Sequence, residues 1–561
     1  MTSTTADEPG ILGSSAVMAV GTVVSRLSGL VRGALLVAAI GAQLHADVFT
    51  IANTIPNMLY ILLAGGVFNA VLVPQLVRAM KHDADEGEGY TNRVITLAGL
   101  FLAGVTVVLV VAAPLLMHLF LDGSYFTPEL AAQRESAIAF ARYCLPQVFF
   151  YGMFVLVGQV LNTRGSFGPM MWAPIANNLV SVAVLGSYLA VFGPAYHAQR
   201  CAGYSNGQEL LLGIGSTVGI AVQLAVLVPY LRRAGFRFRP RFDFRGTGLG
   251  HTLRLGVWTV LFVVVNQVAF TVVVHIASSG TATAAAAGAC ASASTHGTGF
   301  TVYSNAYLLI MVPHSVVTVS LATAMLPQLS ARAADADLAG VARTVASSLR
   351  TSYALIVPFV LLLPVIALDL CAITLGYGAA RRSIDDFASS LVLFGPGLVL
   401  FTTHYLMLRG FYALERNRLV FWVQCAVAAT NIALAIVLTD LSSAADTSPG
   451  LVLAFAGSYV VGAVLSYLLL RRALGGLETP RLLRFGARVV PAAALAALAA
   501  WAAKYGLGLA WAPPAGKWHS LAVLVLAGVV DLTVFVALAR LLRITEVSGI
   551  TALVTTRLRR A

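Results

Sequence analysis

The sequence predicts an all-α polytopic membrane protein, with about 14 transmembrane helices arranged as two pseudo-symmetric six-helix lobes plus two extra C-terminal helices. Three observations carry this. Of 561 residues, 58% are hydrophobic and only 11% are charged, too few charges to dress the surface of a soluble fold of that length. The apolar residues fall in stretches of about 20 or more, each long enough to cross about 30 Å of hydrocarbon as a helix. Strands of a membrane barrel would instead show short alternating segments, and lipid offers backbone groups no partner outside a helix or a closed barrel. The remaining charge is lopsided, 36 Lys+Arg against 23 Asp+Glu, and the cations gather between alternate stretches.

Taken in order, residues 1–12 are polar and slightly acidic, without the basic n-region or cleavage site of a signal peptide. Spans follow at 13–40, 47–78, 94–121, 137–161, 169–193 and 209–231, which make an N-terminal lobe over 13–231. A basic linker occupies 232–254. Spans at 255–277, 300–330, 351–376, 387–408, 419–439 and 449–470 make the C-terminal lobe over 255–470. Residues 471–543 hold two more spans, 489–508 and 518–539, and 544–561 form a basic tail. With the N-terminus inside, 27 of the 36 cations fall in cytoplasmic joints and the tail and seven fall outside. That asymmetry puts both termini in the cytoplasm of a multi-pass plasma-membrane protein. The net charge of +13 is then a topology signal with attraction to anionic lipids, not a nucleic-acid footprint. In the linker, Arg232 to Arg245 interleave with Phe236, Phe238, Phe242 and Phe244, the pattern of an interfacial loop held by snorkelling arginines and buried rings.

An internal repeat supports the two lobes. Val73-Pro74-Gln75-Leu76 in span 2 returns as Leu326-Pro327-Gln328-Leu329 in span 8, and Asn178 in span 5 returns as Asn431 in span 11, both at an offset of 253 residues. Six spans separate the equivalents, so the halves run in the same direction, as parallel transporter repeats do. The joint at 278–300 is uncharged and rich in Ala, Ser, Thr and Gly, and reads as a flexible outside loop. It carries Cys290, and the preceding outside joint carries Cys201; both face an oxidising side, where they can pair as a disulfide. Cys144, Cys371 and Cys425 lie in apolar segments and read as packing residues.

Ionisable groups at membrane depth are functional candidates, because each costs at least a few kcal/mol unless a cavity or partner receives it. Span 1 carries Arg26 and Arg32, too deep for both to snorkel to one surface. On an ideal helix they stand about 9 Å apart along the axis and about 120° apart in azimuth. Ser28-Gly29 between them is a candidate bend. Two guanidiniums lining a cavity suit an anion such as a diphosphate, which Arg meets with forked donors. Alternatively, one of them pairs with Asp47 and holds spans 1 and 2 together. Span 2 adds a polar, breakable face with Asn53, Pro56, Asn57, Gly65, Gly66 and Asn69. Asn162, Asn177, Asn178, Asn266, Gln267, Asn305, His314, His404 and Asp369 read as interhelical hydrogen-bond partners, with His314 the best proton or cation site among them. The sequence contains no P-loop, GxSxG or HExxH motif and no metal-ligand spacing, so neither a catalytic residue nor a metal or cofactor is expected. Transport coupled to the membrane potential or to a cation remains open.

Ser25-Arg26-Leu27-Ser28-Gly29-Leu30-Val31-Arg32, followed by Gly41-Ala42, Ala46-Asp47, Ile55-Pro56-Asn57, Gly66, Phe68 and Val73-Pro74, resembles the opening of the MurJ/MviN lipid II flippases of the multidrug/oligosaccharidyl-lipid/polysaccharide exporter superfamily. The resemblance implies translocation of the undecaprenyl-diphosphate-linked peptidoglycan precursor from inner to outer leaflet by alternating access. It places Arg26 and Arg32 at the diphosphate with Asp47, Ser25 and Asn57 nearby, makes Ser28, Gly29, Pro56, Gly65 and Gly66 hinge positions, and makes the last two spans a groove for the lipid tail. The chain departs from the family pattern at Gly33, where an acidic residue is usual, and at Tyr60 and Leu308, where arginines are usual. The Arg-rich, Lys-poor usage suggests an actinobacterial source. Two other readings stand beside this one. One is a flippase for a different polyprenyl-linked glycan or a MATE-like antiporter, which would need a membrane carboxylate such as Asp369. The other is a non-transporting scaffold for cell-wall synthesis or division proteins.

Overall fold

A computed structural model describes residues 9–62, 87–166, 168–243, 249–286, 298–510 and 516–547. The helices are α1 (Pro9–Ile40), α2 (Leu44–Ile61), α3 (Glu88–Val111), α4 (Ala113–Phe120), α5 (Ala131–Cys144), α6 (Gln147–Thr163), α7 (Gly168–Phe192), α8 (Asn206–Arg233) and α9 (Leu249–Ala286). They continue as α10 (Phe300–Pro313), α11 (Val319–Ala334), α12 (Leu338–Thr374), α13 (Ile384–Ala413), α14 (Asn417–Asp440), α15 (Thr447–Ala473), α16 (Thr479–Ala510) and α17 (Lys517–Leu541). A π-turn, His314–Thr318, joins α10 to α11. Among the described residues, 12 helical segments are long and apolar enough to cross a membrane, and they match the expected spans from 94–121 onward. α1 matches the first span and α2 the start of the second, whose remainder, with Gly65, Gly66, Asn69 and the Val73-Pro74 motif, lies outside the described residues.

Proline explains two departures from the expected spans. The 94–121 stretch divides at Ala112, where Pro114 opens the short α4, and the helix before α6 stops at Cys144 because Leu145-Pro146 turns the chain. Proline has no N–H to give and clashes with the preceding turn.

The chain forms two compact units, Met1–Thr295 with Tyr377–Ala380, and His296–Gly376 with Arg381–Ala561. In the first, α1 packs along α7, α7 on α8, and α8 on α5 and α6, while α2 lies against α5 and α6. Helices α3, α6 and α8 share a core of Leu102, Phe154, Leu161, Leu227 and Phe236. Close approach needs glycine: between α6 and α3 a Cβ on Gly152 would stand 2.5 Å from Leu102 Cδ1, and between α8 and α5 one on Gly213 would stand 2.6 Å from Tyr143 Cβ, the small-residue contact that lets membrane helices approach.

Helix α9 was expected in the C-terminal lobe, yet it packs on α2 and α4 in the first unit. Side-chain bonds explain the difference. Ser278 Oγ accepts from the Asp122 N–H at 2.7 Å, and Thr281 Oγ1 donates to Asp47 at 2.6 Å. The same bonds correct the reading of 278–300 as a loop. Residues 278–286 continue α9 as helix, favoured by the alanines and pinned by Ser278 and Thr281; residues 287–297 lie outside the described set.

In the second unit, α13 packs between α12 and α15, α14 lies on α15, and α10 on α13. The last pair, α16 and α17, pack on each other and on α12. Their seam is built from alanines, with Ala492, Ala493, Ala496 and Ala500 all fully buried against Val357, Leu362, Ala527 and Phe535. Many outward-facing side chains are large and apolar, among them Val108 at 66% and Val111 at 75% exposure, the arrangement of helices that face lipid.

The linker follows α8 back along α3. Phe236 is buried under the Arg164 guanidinium, the Arg239 and Arg241 amides donate to Asn92 and Thr96, and Arg93 pairs with Asp243 at 2.9 Å. Phe238 and Phe242 point outward from the protein, along a backbone that its bonds to α3 hold at the surface. Phe244 and Arg245 lie outside the described residues.

Candidate functional site

Helix α1 is unbroken through Ser25-Arg26-Leu27-Ser28-Gly29 and on to Arg32. What holds this stretch is Asn178 on α7. Its Nδ2 donates to the Ser25 carbonyl at 3.1 Å and to Ser28 Oγ at 2.8 Å, and Ser28 Oγ donates to the Ser25 carbonyl at 2.9 Å. Gly29 lies against the same amide, where a Cβ would meet Nδ2 at 3.7 Å, ordinary contact. The Ser28-Gly29 step is thus a docking point of α1 on α7, between the two arginines.

Arg26 is exposed and Arg32 half-buried. Among the described residues, neither guanidinium is in an ion pair or a hydrogen bond, and neither pairs with Asp47. Arg32 lies within electrostatic reach of Tyr151 on α6, whose ring packs on Tyr60 of α2 with centroids 4.7 Å apart. Tyr60 also packs against the core shared by α3, α6 and α8. Tyr151, which sequence reasoning passed over as one more apolar-span aromatic, belongs to the same neighbourhood.

Asp47 is fully buried in the first turn of α2, with the Thr281 hydroxyl as a donor. Around it, His45 stacks on Tyr204 at 3.5 Å and meets the Ala202 carbonyl through Nδ1 at 2.9 Å, and the Tyr204 hydroxyl donates to the His45 carbonyl at 2.6 Å. These bonds join the α1–α2 corner to α9 and to the segment after Cys201. Cys201 is disulfide-bonded; Cys290, the partner expected for it, lies outside the described residues. Pro56 is buried inside α2, and Asn57 is exposed.

The other polar candidates find partners across helices in part and within their own helix in part, and Asn162 Oδ1 and His404 Nε2 are buried without one. Lys504 of α16 reaches Asp369 Oδ2 and the Val365 carbonyl of α12, both at 2.7 Å. His314 Nδ1 lies 3.2 Å from Thr402 Oγ1, His404 Nδ1 lies 3.2 Å from the Gly462 carbonyl, and Asn305 Nδ2 donates to the Thr301 carbonyl at 2.9 Å. Asn162 Nδ2 reaches Gln159 Oε1 at 3.3 Å, and the Asn266 amide donates to the Phe262 carbonyl at 3.0 Å. Among the described residues, no group of three or more His, Cys, Asp or Glu is placed to hold a metal ion.

Residues 36–513 match the family model described as Lipid II flippase MurJ. The chain belongs to this family. It is 27% identical over 411 residues, 71% of this chain and 75% of the relative, to a Haemophilus influenzae protein named "Probable lipid II flippase MurJ". It is 26% identical over 494 residues, 86% of this chain and 88% of the relative, to the lipid II flippase MurJ of Burkholderia cenocepacia. Among solved structures, the fold is similar to a lipid II flippase MurJ in an inward closed conformation, with TM-score 0.70 at 16% identity over 94% of this chain and 99% of that one. It is also similar, with TM-score 0.59 at 14% identity over 80% of this chain and 95% of that one, to an inward-facing multidrug resistance MATE family transporter of the MOP superfamily. The family is one of membrane transporters, and the protein is an integral membrane protein, not an enzyme.

Proposed function

We propose that the protein moves lipid II, the undecaprenyl-diphosphate-linked peptidoglycan precursor, from the inner to the outer leaflet of the plasma membrane by alternating access, with both termini in the cytoplasm. The observation that carries this beyond family membership is the pair Arg26 and Arg32, guanidiniums deep in span 1 that no carboxylate among the described residues neutralises. A cation at membrane depth without a counter-ion is costly, and a diphosphate that brings two or more negative charges repays that cost through forked, charge-assisted hydrogen bonds. Asn178 holds the α1 backbone between them, so both guanidiniums are presented from a fixed stretch of helix. Asp47, held by Thr281, fixes the α1–α2 corner, Pro56 is buried in α2, and Asn57 lies on its exposed face. The lipid tail remains in the bilayer against the α16–α17 pair. Asp369, on which a MATE-like antiporter reading rests, is already neutralised by Lys504. No cofactor takes part in this scheme; the membrane potential or a cation would supply the drive.

The test is lipid II exposure at the outer surface of cells depleted of their own flippase and carrying Arg26→Ala or Arg32→Ala. Each variant is expected to lower exposure by at least tenfold, the effect of losing one or two charge-assisted bonds. Exposure at the wild-type rate in both variants refutes the proposal.

A further inference from the structure

The last turns of α13 carry another arginine with no acid beside it among the described residues. Arg409 is half-buried, one turn before α13 ends at Ala413. Its guanidinium lies 4.5 Å from the ring centroid of Tyr405 and 5.8 Å from that of Tyr412, and Nη2 donates to the Tyr405 hydroxyl. That is one of five N–H donors. Nε is buried with no acceptor. Among the described residues, three other half-buried arginines are neutralised or bonded to oxygen, Arg350 by Glu478 and Glu546, Arg93 by Asp243 and Arg332 by the Gly340 carbonyl, whereas Arg134 has the Phe126 ring alone and Arg32 neither. Two aromatic faces hold a cation in place without neutralising it, and they leave the fork free for a planar or tetrahedral oxyanion. Tyr405 in turn packs edge-on to His314 at 5.1 Å, beside the π-turn, so the clamp rests on buried structure.

We infer that Arg409, held between Tyr405 and Tyr412, is a phosphate-binding site for a lipid. Its position near the end of α13 puts it at headgroup level, where a lipid's phosphate stands while its tails remain in the bilayer. Arg26 and Arg32, by contrast, lie well inside α1. Resting on the flippase reading, the site's role is to receive the diphosphate in the cytoplasmic leaflet before the α1 arginines take it; the shared chemistry also admits the phosphodiester of an anionic phospholipid.

The experiment uses the full-length protein in detergent and native mass spectrometry, with undecaprenyl diphosphate and phosphatidylglycerol as separate probes. Arg409→Gln is expected to weaken undecaprenyl diphosphate binding by about tenfold, and Arg409→Lys, which keeps the charge but loses the fork, by less. An equal loss for phosphatidylglycerol assigns the site to lipid phosphates in general, and a loss confined to the diphosphate assigns it to substrate loading; either supports the inference. Unchanged affinity for both lipids in Arg409→Gln overturns it. If Arg409→Gln does not fold, Arg409→Lys and Tyr405→Phe decide, and wild-type affinity in both overturns the inference. The readout is independent of transport: if the wild type binds undecaprenyl diphosphate through Arg409 yet cells show no lipid II flipping, the function fails and the site stands.

Discussion

At the scale of single residues, the sequence exposes charges but not their partners. Arg26, Arg32 and Asp47 stand out because the rest of their spans is apolar, and depth alone marks them as candidates. Nothing local says that Asp47 takes a hydroxyl from Thr281, which is 234 positions away. The flat polarity of Ser, Thr and Ala around residue 281 reads as loop, while the structure uses one of those hydroxyls as a buried donor. Thr281→Val keeps the side-chain shape and removes that donor. The variant is expected to lose about 1–3 kcal/mol, the cost of stripping a donor from a buried charged acceptor, seen as a lower thermal midpoint in detergent. An unchanged midpoint would mean that the bond contributes nothing to holding α9 against α2.

At the scale of elements, two electrostatic ties fasten the C-terminal helix pair to α12. Lys504 and Asp369 join α16 to α12 at 2.7 Å, with the Asp369 side chain 9% exposed. Removing one partner of such a pair strands the other, whereas replacing both by apolar groups is often neutral. Lys504→Met alone is therefore expected to lower the thermal midpoint, and Lys504→Met with Asp369→Leu to restore most of it. A double variant as unstable as the single one would show that the two residues act separately. The second tie lies at the opposite end of α12, where Arg350 reaches Glu546 at 2.7 Å and Glu478 at 3.0 Å, and Arg481 reaches Glu478 at 2.7 Å. Burial works against the charged form of Glu478, but the bonds from Arg350 and Arg481 outweigh it and hold its carboxyl below the ordinary 4.5. A depressed carboxyl contributes stability in full above its unfolded value and loses it as pH falls through the folded value. The midpoint of the wild type is expected to hold down to about pH 5 and to drop below 4.5, and Glu478→Gln to flatten that drop. An identical pH profile in the variant removes Glu478 from the account. The expected spans ran through Pro114 and Pro146, where the helices in fact divide, because hydropathy averages over a single proline in an apolar stretch. Nor was the start of α12 legible, which begins at Leu338 instead of residue 351, because a half-polar helix outside the bilayer leaves no mark on hydropathy.

At the scale of the whole molecule, class and span order were readable because lipid reduces the choice to apolar helices, and the 253-residue repeat announced two halves. The division was not readable. Loop charge suggested a boundary at 232–254, yet α9 joins the first unit through Ser278 and Thr281, bonds that hydropathy cannot see. Sidedness is a further property of the whole, carried by cations no single one of which decides it. Arg237, exposed between α8 and α9, lies in the densest cationic joint, and Arg382, exposed between α12 and α13, lies in a sparse one. The positive-inside rule counts charge near span ends and predicts the first in the cytoplasm and the second outside. In a chain whose native cysteines are replaced, Arg382→Cys is expected to react with a membrane-impermeant maleimide in intact cells, and Arg237→Cys only after the membrane is opened. The reverse pattern would invert every span, would put Arg409 at the outer leaflet, and would turn the proposed loading site into a release site.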